Sequence, residues 1–196
     1  MSSPPLSIPH AVPLAVLQCL EGLEPEIHRH GGRVGRYARL IGGSMGLGEP
    51  VLSRLELAAK LHDIGKLFVP AFLVHKREAF NPAERRIMQR HAVLGARLLE
   101  GRAEAADLAL VARHHHDRWD GCGYPSRLAG RAIPLLARIT AVADAYDAMT
   151  SDRPGGNRSH DAAVGEIRRC GGSHFCPETV EAFLLAESGV WVPMAS

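Results

Sequence analysis

Apolar residues recur along this chain at the spacing of helices, not of strands. Leu14, Val16, Leu17 and Leu20 predict a short amphipathic helix, after a lead-in over residues 1–13 that carries four prolines. Ile27, Val34, Ala38 and Ile41 predict a second helix from about Pro25 to Met45, closed by Gly46 and Gly48. Leu52, Leu55, Ala58, Ala59 and Leu61 form the next apolar stripe. Asn81-Pro82-Ala83-Glu84 then predicts a helix start, with Asn as N-cap, Pro at the first helical position and Glu where a capping box needs it. Ile87, Met88, His91, Leu94 and Leu98 follow before Gly101. Further helices are expected from about Ala103 to His115, from Pro134 through Ala141 and Ala145 to about Thr150, and from Ser159 to Gly171-Gly172. A short last one starts at Pro177. Residues 118–131 are rich in Gly and Pro and read as a loop. Period-two alternation, repeats and internal linkers are all lacking. The expectation is therefore one all-α domain over residues 14–196, preceded by a flexible lead-in over 1–13.

Composition narrows the function classes. Hydrophobic residues at 46% and charged residues at 22% describe an ordinary globular chain, and a net charge of +2 makes no case for a nucleic acid polymer or an anionic membrane. A small anionic ligand needs only a local basic cluster. No apolar run is long enough to span a bilayer, and the first basic residue is Arg29, so no signal peptide is expected and the location reads as cytoplasmic. Cys19, Cys122, Cys170 and Cys176 form no CxxC pair, which removes the support for a zinc knuckle or a thioredoxin-like motif. Eleven histidines against five Phe, three Tyr and two Trp require an explanation.

The histidines fall into a pattern with carboxylates: His62-Asp63, followed by Gly65-Lys66, then His91, His115-His116 and Asp144. Imidazole and carboxylate without thiolate suit a mid-row divalent metal such as iron or manganese. Adjacent His and Asp at a helix end can serve neighbouring metals, and six such residues exceed the needs of one ion. Glu26 and His30, at i and i+4, add a further candidate pair and make a third ion conceivable. Each residue alone has a plainer reading, as a solvated charge or a satisfied core histidine. Asp144, however, stands among Val142, Ala143 and Ala145, a setting hostile to an unpaired carboxylate. His91 lies in an apolar stripe and raises the same objection. Metal ligation answers both.

The run His62-Asp63-Ile64-Gly65-Lys66, with Asp120-Gly121-Cys122-Gly123-Tyr124-Pro125 downstream, resembles the HD-GYP domain, a branch of the HD metal-phosphohydrolases. The likeness runs from about Glu26 to Phe183 and includes His30 with Arg33-Val34, His91, His115-His116, Arg118-Trp119, Ala143-Asp144-Ala145 and Thr150-Ser151-Asp152-Arg153-Pro154. It implies a bundle of about seven to eight helices and hydrolysis of cyclic di-GMP to linear pGpG and on to GMP. It also implies two or three divalent ions, iron first and manganese as the alternative. His62, Asp63, His91, His115, His116 and Asp144 match ligand positions, as does His30. Glu26 matches the additional carboxylate of trinuclear members, which favours three ions. In that scheme a water activated between two ions attacks phosphorus in line with the departing 3′-oxygen. Asp63 orients that water, and Lys66 and Arg153 contact phosphate oxygens. Tyr124 is a candidate substrate contact. The loop Asp120, Gly121, Gly123, Tyr124, Pro125 is expected as a structural lip or docking surface.

Several positions depart from the family pattern. Gly155-Gly156 stand where Tyr-Arg is common, Gly31 follows His30, Asp117 follows the histidine pair, and Cys176 replaces an Asp. All ligand positions are kept, which favours an active enzyme. The alternative is a catalytically weak module that binds a cyclic dinucleotide and docks a GGDEF-type cyclase. A general HD hydrolase of nucleotides is a third reading, and the Gly-Tyr-Pro loop argues against it. Oligomeric state is left open.

Overall fold

The capping signal at Asn81 is realised in the computed structural model of the chain, which describes residues 25–101, 105–151 and 157–190. The Asn81 side chain accepts from the Ala83 and Glu84 amides, and Glu84 reaches back to the Asn81 amide, starting a helix over Pro82–Leu99. Eight α-helices lie among the described residues. They are α1 (Pro25–Ser44), α2 (Glu49–Lys60), α3 (Ala71–Val74), α4 (Pro82–Leu99), α5 (Ala106–His114), α6 (Leu135–Thr150), α7 (His160–Arg169) and α8 (Pro177–Val190). A 3-10 turn, Ile64–Phe68, joins α2 to α3. No strand occurs among the described residues beyond an isolated bridge between Gly171 and Phe175. The expected helix around Leu14–Leu20 lies outside the described residues. The Ile64–Phe68 turn and the four-residue α3 escaped the periodic reading because neither is long enough to show a period. The last helix, α8, is longer than expected.

Five glycines sit inside α1, each a cost of about 1 kcal/mol relative to alanine. Packing offsets this at Gly31 and Gly35. A Cβ on Gly31 would stand 2.3 Å from the Lys60 carbonyl oxygen, and one on Gly35 2.8 Å from that of Glu56. Glycine thus lets α1 lie backbone to backbone on α2. The departure at Gly31 is a requirement of that contact.

Two apolar clusters result. Val34, Ile41, Leu55, Val142, Tyr146, Ile167 and Phe183 belong to one, built on α1, α2 and α6–α8. Ile27, Leu61, Ile64, Leu99, Leu108 and Val111 belong to the other, between the start of α1, the end of α2 with the 3-10 turn, α4 and α5. Along α1, His30 falls between Ile27 of one cluster and Val34 of the other. His62 directly follows Leu61. The polar site is at the seam.

Candidate metal centre

Seven side chains converge there, in two groups. Asp63, His91, His115 and His116 form one, and His30, His62 and Asp144 the other; within each, the ligand atoms lie within 4.8 Å of one another. The 3-10 turn, α4 and the end of α5 supply the first group. The second comes from α1, the end of α2 and α6.

Three of the histidines are aimed by their own helices. Nδ1 of His62 donates to the Ala59 carbonyl at 2.7 Å, Nδ1 of His91 to that of Met88 at 2.7 Å, and Nδ1 of His115 to that of Ala112 at 3.0 Å. A carbonyl only accepts, so the proton sits on Nδ1 and each Nε2 presents a lone pair. His62 Nε2 is buried without a hydrogen-bond partner among the described residues. His91 Nε2 and His115 Nε2 face each other at 3.3 Å. Two such lone pairs repel unless a proton or a cation lies between them. Burial, together with neighbouring histidines, holds His115 well below the ordinary imidazole range, and burial lowers His91 as well. His116 is lowered to about 3, by burial and then by His91. Protons are disfavoured here, and a divalent cation is the group that fits.

Asp63 addresses both groups. Its Oδ1 lies 3.3 Å from His91 Nε2, and its Oδ2 lies 3.4 Å from His62 Nε2 and 3.7 Å from His30 Nε2. One carboxylate thus offers an oxygen to each side. Burial opposes its ionisation, but Lys66 and His62 outweigh burial and hold it well below the carboxylate range. Asp144 behaves alike: burial is overcome by His30 and His62. Its Oδ1 is 3.2 Å from His30 Nε2. The site therefore combines ionised carboxylates with the neutral imidazoles of His91, His115 and His116.

Glycine at 65 makes the first group possible, because a Cβ there would be 1.9 Å from the His91 carbonyl oxygen. Lys66, mostly buried, ion-pairs with Asp63 Oδ2. The loop after α5 folds back on the site. The Tyr124 amide donates to the His116 carbonyl at 3.2 Å, and the Tyr124 ring stacks on the His116 imidazole with centroids 4.7 Å apart. A Cβ on Gly123 would meet the His116 carbonyl oxygen at 2.4 Å. Asp120 accepts from Arg118 and from the Cys122 amide, while Gly121 takes a left-handed φ of 77° and Tyr124-Pro125 is cis. The amides of Trp119 and Asp120 donate to the His174 and Ser173 carbonyls, and the Arg138 guanidinium lies 5.9 Å from the Trp119 ring centroid. Trp119 thus helps fasten the loop to its own domain.

One expected metal ligand is not brought into these groups. Glu26 is exposed in the first turn of α1 and pairs with Arg29 at 2.7 Å, so it joins neither group, despite its spacing from His30. Arg153 and Gly155-Gly156 lie outside the described residues. One contributor was missed: Asp147, buried one turn beyond Asp144, accepts from His30 Nδ1 at 2.7 Å and from Arg33 Nε at 2.6 Å. A second carboxylate three residues on along an apolar helix was the available signal.

A family profile described as HD domain matches residues 16–179. The chain is 41% identical over 182 residues to a cyclic di-GMP phosphodiesterase of Thermotoga maritima, covering 90% of this chain and 49% of that protein. It is 34% identical over 168 residues to a 3′3′-cGAMP-specific phosphodiesterase of Vibrio cholerae, covering 84% of this chain and 32% of that one. The chain therefore spans half or less of the length of these relatives. Its fold superposes on that of an HDG"Y"P protein from Bdellovibrio bacteriovorus with a TM-score of 0.69 at 18% identity, covering 88% of this chain and 57% of that one.

Proposed function

The chain belongs to the HD domain family, with the motifs of its HD-GYP branch, and on that footing we propose that it is a metal-dependent phosphodiesterase that hydrolyses cyclic di-GMP to linear pGpG and on to GMP. The observation that carries the reading is the convergence of bare, buried Nε2 lone pairs on ionised carboxylates, with Asp63 facing both groups. The first ion is assigned to Asp63, His91, His115 and His116, and the second to His30, His62 and Asp144, with Asp63 shared. Glu26 lies apart, so the proposal is for two ions. Nitrogen-rich donors with carboxylates and no thiolate favour iron, with manganese as the alternative.

Bound divalent ions supply an activated water at neutral pH and neutralise charge on the phosphoryl oxygens. The chain's own groups do the rest. Asp63 orients the attacking water. Lys66, which pairs with Asp63, would contact a non-bridging phosphate oxygen as a point charge. Tyr124 walls the site over His116, and Arg153 is proposed as a second phosphate contact. Its geometry as a bidentate donor suits that role. No helix among the described residues is long and apolar enough to cross a membrane, in keeping with a cytoplasmic signalling role.

The test is to load the protein anaerobically with Fe(II) or Mn(II), supply cyclic di-GMP or 3′3′-cGAMP, and follow the products by chromatography. Turnover of cyclic di-GMP to GMP, abolished by His62→Ala with Asp63→Ala, is expected. Negligible hydrolysis with two ions bound per chain would replace this reading by that of a dinucleotide-binding module docking a GGDEF-type cyclase. Preference for 3′3′-cGAMP would correct the substrate and leave the reaction class in place.

A further inference from the structure

Four of the proposed ligand histidines are held in two different ways. His62, His91 and His115 each give the Nδ1 proton to a carbonyl three residues earlier in the chain. His30 gives its proton to a side chain 117 residues away, the buried carboxylate of Asp147. That carboxylate is gripped in turn by Arg33, through Nε to Oδ1 at 2.6 Å and Nη2 to Oδ2 at 3.1 Å. The four residues form a matched set. His30 and Arg33 stand at i and i+3 on α1, and Asp144 and Asp147 at i and i+3 on α6. Asp144 meets the Nε2 side of the His30 ring and Asp147 its Nδ1 side.

We propose that Asp147 is a positioning residue for the second metal site: its carboxylate fixes the His30 tautomer and raises the donor strength of Nε2, so that the group with only three ligands holds its ion. The inference rests on the two-ion reading above and goes beyond it. A carboxylate behind a ligating imidazole is worth about 10–100-fold in metal affinity, and the second group, whose only further donor is the Asp63 it shares, needs this support more than the first, which has four ligands of its own. Arg33 contacts Asp147 without touching His30 itself. The ligands of the first group come from one stretch of chain, Asp63 to His116, whereas those of the second come from Asp144 on α6 and from His30 and His62. Asp147 is the contact that ties the His30 ring to α6 on its far side.

The experiment counts Mn(II) bound to the full chain by equilibrium dialysis with elemental analysis, with no nucleotide present. Wild type is expected to bind two ions. Asp147→Asn should keep one tight ion and bind the second about 10–100-fold more weakly, the retained ion showing that the fold is intact. Arg33→Met, which leaves Asp147 behind His30, should keep the second ion within a few-fold of wild type. In a His30→Ala background, Asp147→Asn should have no further effect on the second ion. Unchanged affinity in Asp147→Asn overturns the proposal. So does an equal loss in Arg33→Met, which would mean that the pair only docks α1 on α6. Fewer than two ions on the wild type would overturn the two-ion reading itself, a result distinct from either.

Discussion

His91 and His115 meet through their Nε2 atoms at 3.3 Å, each having surrendered its proton-bearing nitrogen to a backbone carbonyl. Such a pair of buried acceptors raises the energy of the folded chain and is relieved by a cation. Folding and metal binding are therefore coupled here.

The first prediction concerns that coupling. Mn(II) or Fe(II) at about one hundred times its Kd should stabilise the wild type by about 2.7 kcal/mol for each site filled. His115→Leu removes one lone pair without opening a cavity. Its stability without metal should stay within about 1 kcal/mol of wild type, while the gain from the first ion disappears. Thermal melts with and without metal measure both. A full metal-dependent gain in His115→Leu would place the ion elsewhere.

Acid lability is a second expectation. His91, His115 and His116 all titrate below the ordinary 6.5 in the folded chain. Below about pH 6.5 the unfolded chain therefore binds protons that the folded chain refuses. Stability must fall with pH across that window, by up to about 1.4 kcal/mol per pH unit for each histidine. His30 acts oppositely: burial lowers its pKa, but hydrogen bonds to Asp144 and Asp147 raise it above the ordinary value. Its stabilising contribution is full below 6.5 and is lost as pH rises through its folded value. Three groups outweigh one. Urea midpoints of chelated protein should be lower at about pH 5 than at about pH 7.5, and an equal or higher midpoint in acid would contradict these protonation states.

Close backbone approach gives a third. Gly65→Ala puts a methyl 1.9 Å from the His91 carbonyl oxygen, and Gly123→Ala puts one 2.4 Å from that of His116. Neither obstacle is a flexible side chain. Each substitution should cost about 1–3 kcal/mol or more and weaken the first ion, with Gly65→Ala the worse. Chemical denaturation and metal titration check the order.

Lys66 offers a fourth, in kinetics. Its pairing with Asp63 is part of the site, yet it is in neither ligand group. Lys66→Met should keep both ions and lower kcat for cyclic di-GMP by about 100-fold or more, as loss of a charge stabilising the transition state does. Loss of an ion together with turnover would make Lys66 a structural counter-charge only.

Much of this cluster was readable from residue types because its histidines and carboxylates are the wrong residues for their places. A histidine in the α4 stripe and an aspartate among α6 alanines signal a partner even before any contact is known. Asp147 was harder to find. Its partners His30 and Arg33 lie more than a hundred residues away, and only the docking of α1 on α6 makes the three one unit. Glu26 failed in the opposite direction. Spacing placed it on the side of His30, but a first-turn glutamate with Arg29 three residues on closes that local ion pair instead. The 3-10 turn between α2 and α3 was legible as a motif and illegible as an element, since five residues carry no period.

His62 and Asp63 are consecutive, yet their ligand atoms fall in different groups, with Asp63 also reaching across. A single peptide link therefore acts as the ruler between the two ligand groups. Helices can shift around it, and loops can lengthen, without changing that spacing. An insertion of one residue between the two would change it at once, and no rearrangement elsewhere could restore the gauge.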